Sequence, residues 1–171
     1  MEYFHEKQRF TQWWILLIPI AFVLFVIYVS YVQLVLQTPV GNKPIGNSEL
    51  WILWVMLIPL VGLIFYVELT TVIDDAGVNV RLRPFVRRLI KWEEIEEMYL
   101  RKYRPLGEFG GYGLRFSTAG TAYNIKGNRG LQLKLKNGKS ILIGTSDPDR
   151  LKIVLARIKE KLVNSGGAGA Q

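Results

Sequence analysis

The chain has 171 residues, a formal net charge of +8 and a hydrophobic fraction of 50%, with no cysteine and a single histidine. The absence of cysteine excludes disulfides, thiol catalysis and the usual cysteine-containing zinc sites. The length fits about one ordinary domain, but the apolar and basic residues are concentrated in different parts of the chain. We therefore expect an apolar part and a basic part with separate roles.

Two uncharged stretches predict membrane spans. Residues 13–36 contain no charged side chain, and a helix of that length reaches about 36 Å, more than the ~30 Å hydrocarbon core of a bilayer. Residues 50–67 form a second such stretch. Neither has the polar face of a soluble helix, and the first is too long for a cleaved signal peptide. We expect a retained two-helix transmembrane hairpin that is integral to the lipid bilayer.

The distribution of basic residues predicts the orientation of this hairpin. Lys and Arg near membrane boundaries are retained on the cytoplasmic side. The loop 37–49 carries only Lys43, whereas Lys7 and Arg9 lie in the N-terminal tail, residues 1–12. Five more basic residues follow the second span between positions 81 and 91. Both termini are therefore predicted to be cytoplasmic and the loop extracytoplasmic, in a multi-pass protein of the cell (inner) membrane.

Aromatic side chains flank both predicted spans. Trp and Tyr prefer the interface between hydrocarbon and headgroups, which favours a role as anchors for these residues. The residues are Trp13, Trp14, Tyr28, Tyr31, Trp51, Trp54 and Tyr66.

Residues 68–164 change to the alternating pattern of β-strands. Turn residues at Asp74–Gly77 and at Asn137–Gly138 predict two hairpins. About seven short strands are expected, followed by an amphipathic helix capped by Thr145 or Ser146. The Gly/Ala-rich residues 165–171 are predicted to be a disordered tail.

The order of these elements and several motifs resemble the small membrane-anchored bacterial proteins that carry a pleckstrin-homology-like (PH-like) domain. The motifs are ELTTVIDDAGVNVR at 68–81, IKWEEI at 90–95, GYGLR at 111–115, AYN at 122–124, GLQLKLKNG at 130–138 and IGTSDP at 143–148. The resemblance implies a cytoplasmic split β-barrel of two orthogonal sheets, capped by the last helix. It also implies self-association in many cases, and it carries over no ligand.

Three clusters resemble catalytic or ligand sites but have simpler interpretations. Glycines 107, 110, 111 and 113 precede a strand rather than the helix that a phosphate-binding loop needs, which favours turns. Asp74 and Asp75 fit turn chemistry better than a cation site. Glutamates 93, 94, 96 and 97 fit a solvated face. We find no set of nucleophile, base and orienting group, and predict no enzyme activity, cofactor or metal.

The basic run after the second span is the remaining candidate site. It consists of Arg81, Arg83, Arg87, Arg88 and Lys91. Anionic lipid headgroups attract such residues near a membrane, although the run could equally serve only to set topology. Nucleic acid is a weaker interpretation because the run lacks a series of interleaved aromatic residues that could stack on successive bases.

The function that these features predict is a non-catalytic, membrane-anchored PH-like module. It would contact the anionic membrane surface, a protein partner or both, and would self-associate through the PH-like domain as a homo-oligomer. The alternative is an accessory subunit of a transporter or membrane enzyme, with spans that pack on a larger partner.

Overall fold

The computed structural model describes residues 2–41 and 45–167. The chain divides into two compact units. One is the helical segment of residues 10–67, and the other combines the N-terminal residues up to Arg9 with the chain from Glu68 onward.

The helical unit contains α1 (Trp13–Ser30), extended by a π-helical turn at Tyr31–Val35, and α2 (Asn47–Tyr66). Both helices are long and apolar enough to cross a membrane. Helix α2 begins after Gly46, whose N–H is bound by the Glu49 carboxylate at 2.9 Å. Part of the loop predicted at 37–49, including Lys43, lies outside the described residues.

One of the predicted interfacial anchors, Trp54, forms a hydrogen bond within this unit. The indole N–H of Trp54 donates a hydrogen bond of 2.9 Å to Oγ of Ser30, and that hydroxyl donates to the carbonyl oxygen of Val26 at 2.7 Å. Trp54 thus ties α2 to α1.

The β-rich unit begins with a four-stranded antiparallel sheet. Its strands are β1 (Glu2–Arg9), β2 (Glu68–Asp74), β3 (Gly77–Arg83) and β4 (Val86–Lys91), adjacent in that order. Residues 2–9 therefore form a strand of the domain where the sequence predicts a polar tail. The strand was hard to foresee because the side chains facing the interior include the polar Glu6 and Gln8 beside the apolar Phe4.

A second sheet has five strands. They are β5 (Ile95–Lys102), β6 (Gly113–Ser117), β7 (Gly120–Asn124), β8 (Arg129–Leu135) and β9 (Ser140–Thr145), in the spatial order β5-β8-β9-β7-β6. Strands β7 and β9 are parallel and the other pairs antiparallel. A 3₁₀ turn (Trp92–Glu94) precedes β5, and α3 (Pro105–Phe109) precedes β6. The two predicted hairpins are confirmed.

Two differences from the expected split barrel follow from these strands. The described residues form nine strands rather than about seven, and no described strand pair joins the two sheets into a closed barrel.

Polar side chains of β1 fasten the first sheet to the second. The side-chain amide of Gln8 donates to the carbonyl oxygen of Gly144 at 2.8 Å. The Glu6 carboxylate accepts hydrogen bonds from the Thr145 hydroxyl and the Ser146 backbone N–H, both at 2.6 Å. Strand β1 is therefore bonded to the end of β9 as well as to β2.

Helix α4 (Pro148–Gly167) is the last element in the described part of the chain. Its apolar residues Leu151, Val154, Leu155 and Ile158 are buried, as the periodicity predicts. The cap is Asp147, whose carboxylate accepts the N–H of Arg150 at 3.1 Å, rather than Thr145 or Ser146. The helix includes residues 165–167 of the segment predicted to be disordered, and residues 168–171 lie outside the described residues.

Candidate functional site

The register of the first sheet arranges its side chains in rows. Successive residues of a strand point to opposite faces, so directly paired residues share a face. One face carries the buried Leu69, Ile73, Val78, Val80 and Leu82, and it is the core side. The opposite face is the outer face.

Two adjacent rows of the outer face are strongly basic. The first row is Arg9–Glu68–Arg83 and the second is Lys7–Thr70–Arg81–Arg87. We call the five cations of these rows the basic face. Arg81 and Arg87 are directly opposite each other, a like-charge pairing that destabilises a sheet. This pairing lowers the stability of the sheet, and folding alone gives no reason for it.

Glu68 is the acidic residue within these rows. It is only 5% exposed, and its carboxylate lies 2.7 Å from the Arg9 guanidinium and 3.9 Å from that of Arg83. The hydrogen bond from Arg9 holds the pKa of Glu68 below its ordinary value. Because Arg9 and Glu68 belong to β1 and β2, this ion pair joins the two strands at the point where the helical segment is inserted.

The predicted run of five basic residues is divided by the sheet. Arg81, Arg83 and Arg87 lie on the basic face. Lys91 is on the same side but pairs with Gly77 at the far end, four residues along β4 from Arg87, or roughly 13 Å. Arg88 is paired with the buried Val80 and belongs to the opposite side of the sheet.

Lys7 and Arg9 are basic residues for which the sequence predicts only a role in topology. Their place on the face depends on the pairing of β1 with β2, and the whole helical segment separates these two strands in the sequence. The only sequence feature that could indicate a strand here is the alternation of Lys7 and Arg9 with Gln8. Two basic residues on either side of a glutamine are not enough to predict a strand.

The turn between β3 and β4 lies beside the basic face. It contains Pro84, preceded by a cis peptide bond, and Phe85, which is 56% exposed. An aromatic side chain flanked by Arg83 and Arg87 combines apolar surface with positive charge, as side chains at a membrane interface do.

The other candidate clusters have structural roles. The Asp74 carboxylate accepts the N–H groups of Ala76 and Gly77 at 2.9 and 3.2 Å, which is the turn chemistry expected of it. Gly110 ends helix α3 in a left-handed conformation. The four glutamates at 93–97 are exposed, and Glu97 forms an ion pair of 2.6 Å with Lys134.

The described residues contain no group of three acidic or histidine side chains placed to hold a metal ion. In comparisons with known proteins, no family model, curated protein or solved structure matches the chain. The basic face is therefore the main structural indication of function in the described residues.

Proposed function

We propose that the chain is a non-catalytic module anchored in the cell (inner) membrane, whose β-rich unit is cytoplasmic and contacts anionic lipid headgroups. The observation that carries this proposal is the basic face, where three strands place five cations around one buried carboxylate. Each basic residue near an anionic surface contributes ~1 kcal/mol of attraction.

The connections to the helices support this assignment. Only residues 10–12 separate Arg9 from α1, and only Val67 separates α2 from Glu68. Three extended residues span about 10 Å, and the Debye length at physiological salt is ~8 Å. These connectors thus limit the first basic row to a distance of about one Debye length from the helix ends.

The pairing of β1 with β2 also supports the proposed topology. Strands that precede and follow the helical segment share one sheet, which requires an even number of membrane crossings. Two spans with both termini on the same side satisfy that requirement, and the excess of Lys and Arg favours the cytoplasm as that side.

The PH-like identity belongs to the same proposal. Two predominantly antiparallel sheets followed by a C-terminal helix with a buried apolar side are compatible with what the resemblance implies.

The test uses the full chain with one cysteine introduced at Leu89, an exposed position on the outer face next to the basic rows. An environment-sensitive dye on this cysteine is measured in nanodiscs of phosphatidylcholine with and without phosphatidylglycerol, with a headgroup-located quencher. We expect stronger quenching in the anionic nanodiscs and its loss at high salt.

The variant Lys7→Gln/Arg81→Gln/Arg87→Gln removes the second row while leaving the Glu68 ion pairs in place. It should weaken the attraction by about 3 kcal/mol. The matched control removes three exposed lysines elsewhere, Lys136→Gln/Lys152→Gln/Lys159→Gln, and should retain most of the quenching. Equal quenching in neutral and anionic nanodiscs, or equal effects of the two triple variants, would contradict lipid contact and favour the accessory-subunit alternative.

A further inference from the structure

Arg88 faces away from the basic face and lines an open pocket of about 280 Å³. The pocket lies between β4, the β6–β7 turn and the β8–β9 turn, and Lys139 contributes a second cation. Four lining residues carry hydroxyl groups: Ser117, Thr118, Thr121 and Ser140. None of the described lining residues has a carboxylate.

Arg88 and Lys139 form no ion pair within the described part of the chain. Arg101 and Lys134, by contrast, form ion pairs with Glu108 and Glu97 at 2.7 and 2.6 Å. Within the described ranges, neither the Arg88 guanidinium nor the Lys139 ammonium has an ion-pair or hydrogen-bond partner. Arg88 is also partly buried, and removing a charge from water without a partner is unfavourable. A bound anion would supply that partner.

The rim of the pocket is fixed by backbone geometry. Gly120 has φ of +115°, and a Cβ there would lie 2.3 Å from the carbonyl oxygen of Ser140. The two turns are therefore held against each other at a distance that only glycine permits. Within each turn a side chain accepts a backbone N–H: Ser117 Oγ accepts that of Ala119, and Asn137 Oδ1 accepts that of Lys139.

We propose that this pocket binds a phosphate monoester. Two cations balance the dianionic charge of a monoester, the planar guanidinium matches phosphate oxygens in a bidentate manner, and the hydroxyl groups can donate further hydrogen bonds. The volume is near the lower end of the range for small-molecule pockets, about 300 Å³. Phe116, 75% exposed at the rim, offers apolar surface to the organic part of the ester.

This site is separate from the basic face and requires a different ligand chemistry. The basic face is a surface that attracts negative charge in general, whereas the pocket should distinguish a dianionic monoester from a monoanionic diester. The monoester could be a soluble metabolite or the headgroup of phosphatidic acid, and these two sources share the chemistry that the pocket recognises.

The binding test uses the full chain in phosphatidylcholine nanodiscs, titrated with glycerol 3-phosphate and followed by phosphorus NMR line broadening. Dimethyl phosphate serves as the diester. We expect saturable binding of glycerol 3-phosphate and at least tenfold weaker binding of the diester. Nanodiscs that contain phosphatidic acid distinguish the sources, because a headgroup already in the pocket would compete with the soluble ester, whereas phosphatidylglycerol would not.

The variants compare basic residues that line the pocket with basic residues of the same two hairpins that do not. Arg88→Gln/Lys139→Gln should reduce the affinity for glycerol 3-phosphate at least tenfold, and Arg88→Lys should restore part of it. The control Lys91→Gln/Lys136→Gln removes the same charge from the same two hairpins, outside both the pocket and the basic face, and should change the affinity less than twofold. Equal losses in both double variants, equal binding of the diester, or no binding of either ester would overturn the proposal. Since neither double variant removes a cation of the basic face, failure of the pocket and failure of the proposed function give different results.

Discussion

At the scale of single residues, Glu68 has the most informative environment. It is buried, it is bound to Arg9 and it lies near Arg83. Arg9 lowers its pKa, so the ionised carboxylate favours the folded state in which β1 is paired with β2. Glu68 therefore interrupts the positive charge of the basic face. It also holds one of the cations of that face, Arg9, in place.

We predict that Glu68→Gln lowers the free energy of unfolding by about 1.5 to 3 kcal/mol, the contribution of hydrogen bonds to charged groups. Because the folded-state pKa is below the unfolded value of about 4.3, the stabilisation is present above that value. It is lost as the pH falls through the folded-state pKa. Thermal unfolding of the full chain in detergent, followed by near-ultraviolet circular dichroism between pH 7 and 3, should show a smaller acid dependence in the variant. Glu93→Gln, at an exposed position, is the control, and an equal change in both variants would contradict this role.

At the scale of elements, the two predicted hairpins differ in how their glycines are constrained. A Cβ at Gly77 would lie 2.1 Å from the carbonyl oxygen of Ile90 on β4, with φ at +143°. A Cβ at Gly138 would meet nothing within 4 Å, although φ is +78°. The first hairpin therefore requires glycine at position 77 because β4 approaches the backbone closely there. The second hairpin requires glycine at position 138 only because of the backbone conformation of its turn.

We expect Gly138→Ala to cost about 1 to 2 kcal/mol, the penalty of a left-handed backbone for a residue with a Cβ. Gly77→Ala should cost an additional 1 to 3 kcal/mol or more, as overpacking does, because β3 and β4 must separate. The check is the difference in unfolding free energy between the two variants. Equal losses would show that β4 does not approach Gly77 as closely as described.

The elements also show what the sequence can and cannot predict. The β8–β9 hairpin was predictable because apolar alternation on both strands surrounds Asn137–Gly138. Strand β1 was not, since Glu6 and Gln8 face the interior and form hydrogen bonds there with Gly144, Thr145 and Ser146, far along the chain. For the candidate site, the run 81–91 falls in the β3–β4 hairpin, but only the register separates Arg88 from its neighbours.

At the scale of the whole molecule, the β-rich unit is discontinuous in sequence. Arg9 and Glu68 are direct partners in the β1–β2 pairing. A two-residue hairpin turn can connect two antiparallel strands whose end residues are paired in this way. We predict that replacing residues 10–67 by Asn-Gly yields a folded domain that needs no detergent. Size-exclusion chromatography and circular dichroism would test this.

A shortened chain that starts at Glu68 is the comparison for that variant. It lacks β1, and so leaves the edge of β2 and the fully buried Leu69 and Ile73 without their cover. We expect it to aggregate or to unfold at a markedly lower temperature. Equal stability of the two chains would contradict the contribution of β1.

The insertion of the helical segment between two paired strands has a consequence for synthesis in the cell. Strand β1 leaves the ribosome first but has no partner until β2 follows, after both helices have been made. A chain in which only one helix had crossed the membrane would leave β1 and β2 in different compartments, and the first sheet would not form. Under the proposed topology, folding of the domain is a check on insertion: only molecules in which both helices have crossed the membrane complete the sheet, and the others retain unpaired strands.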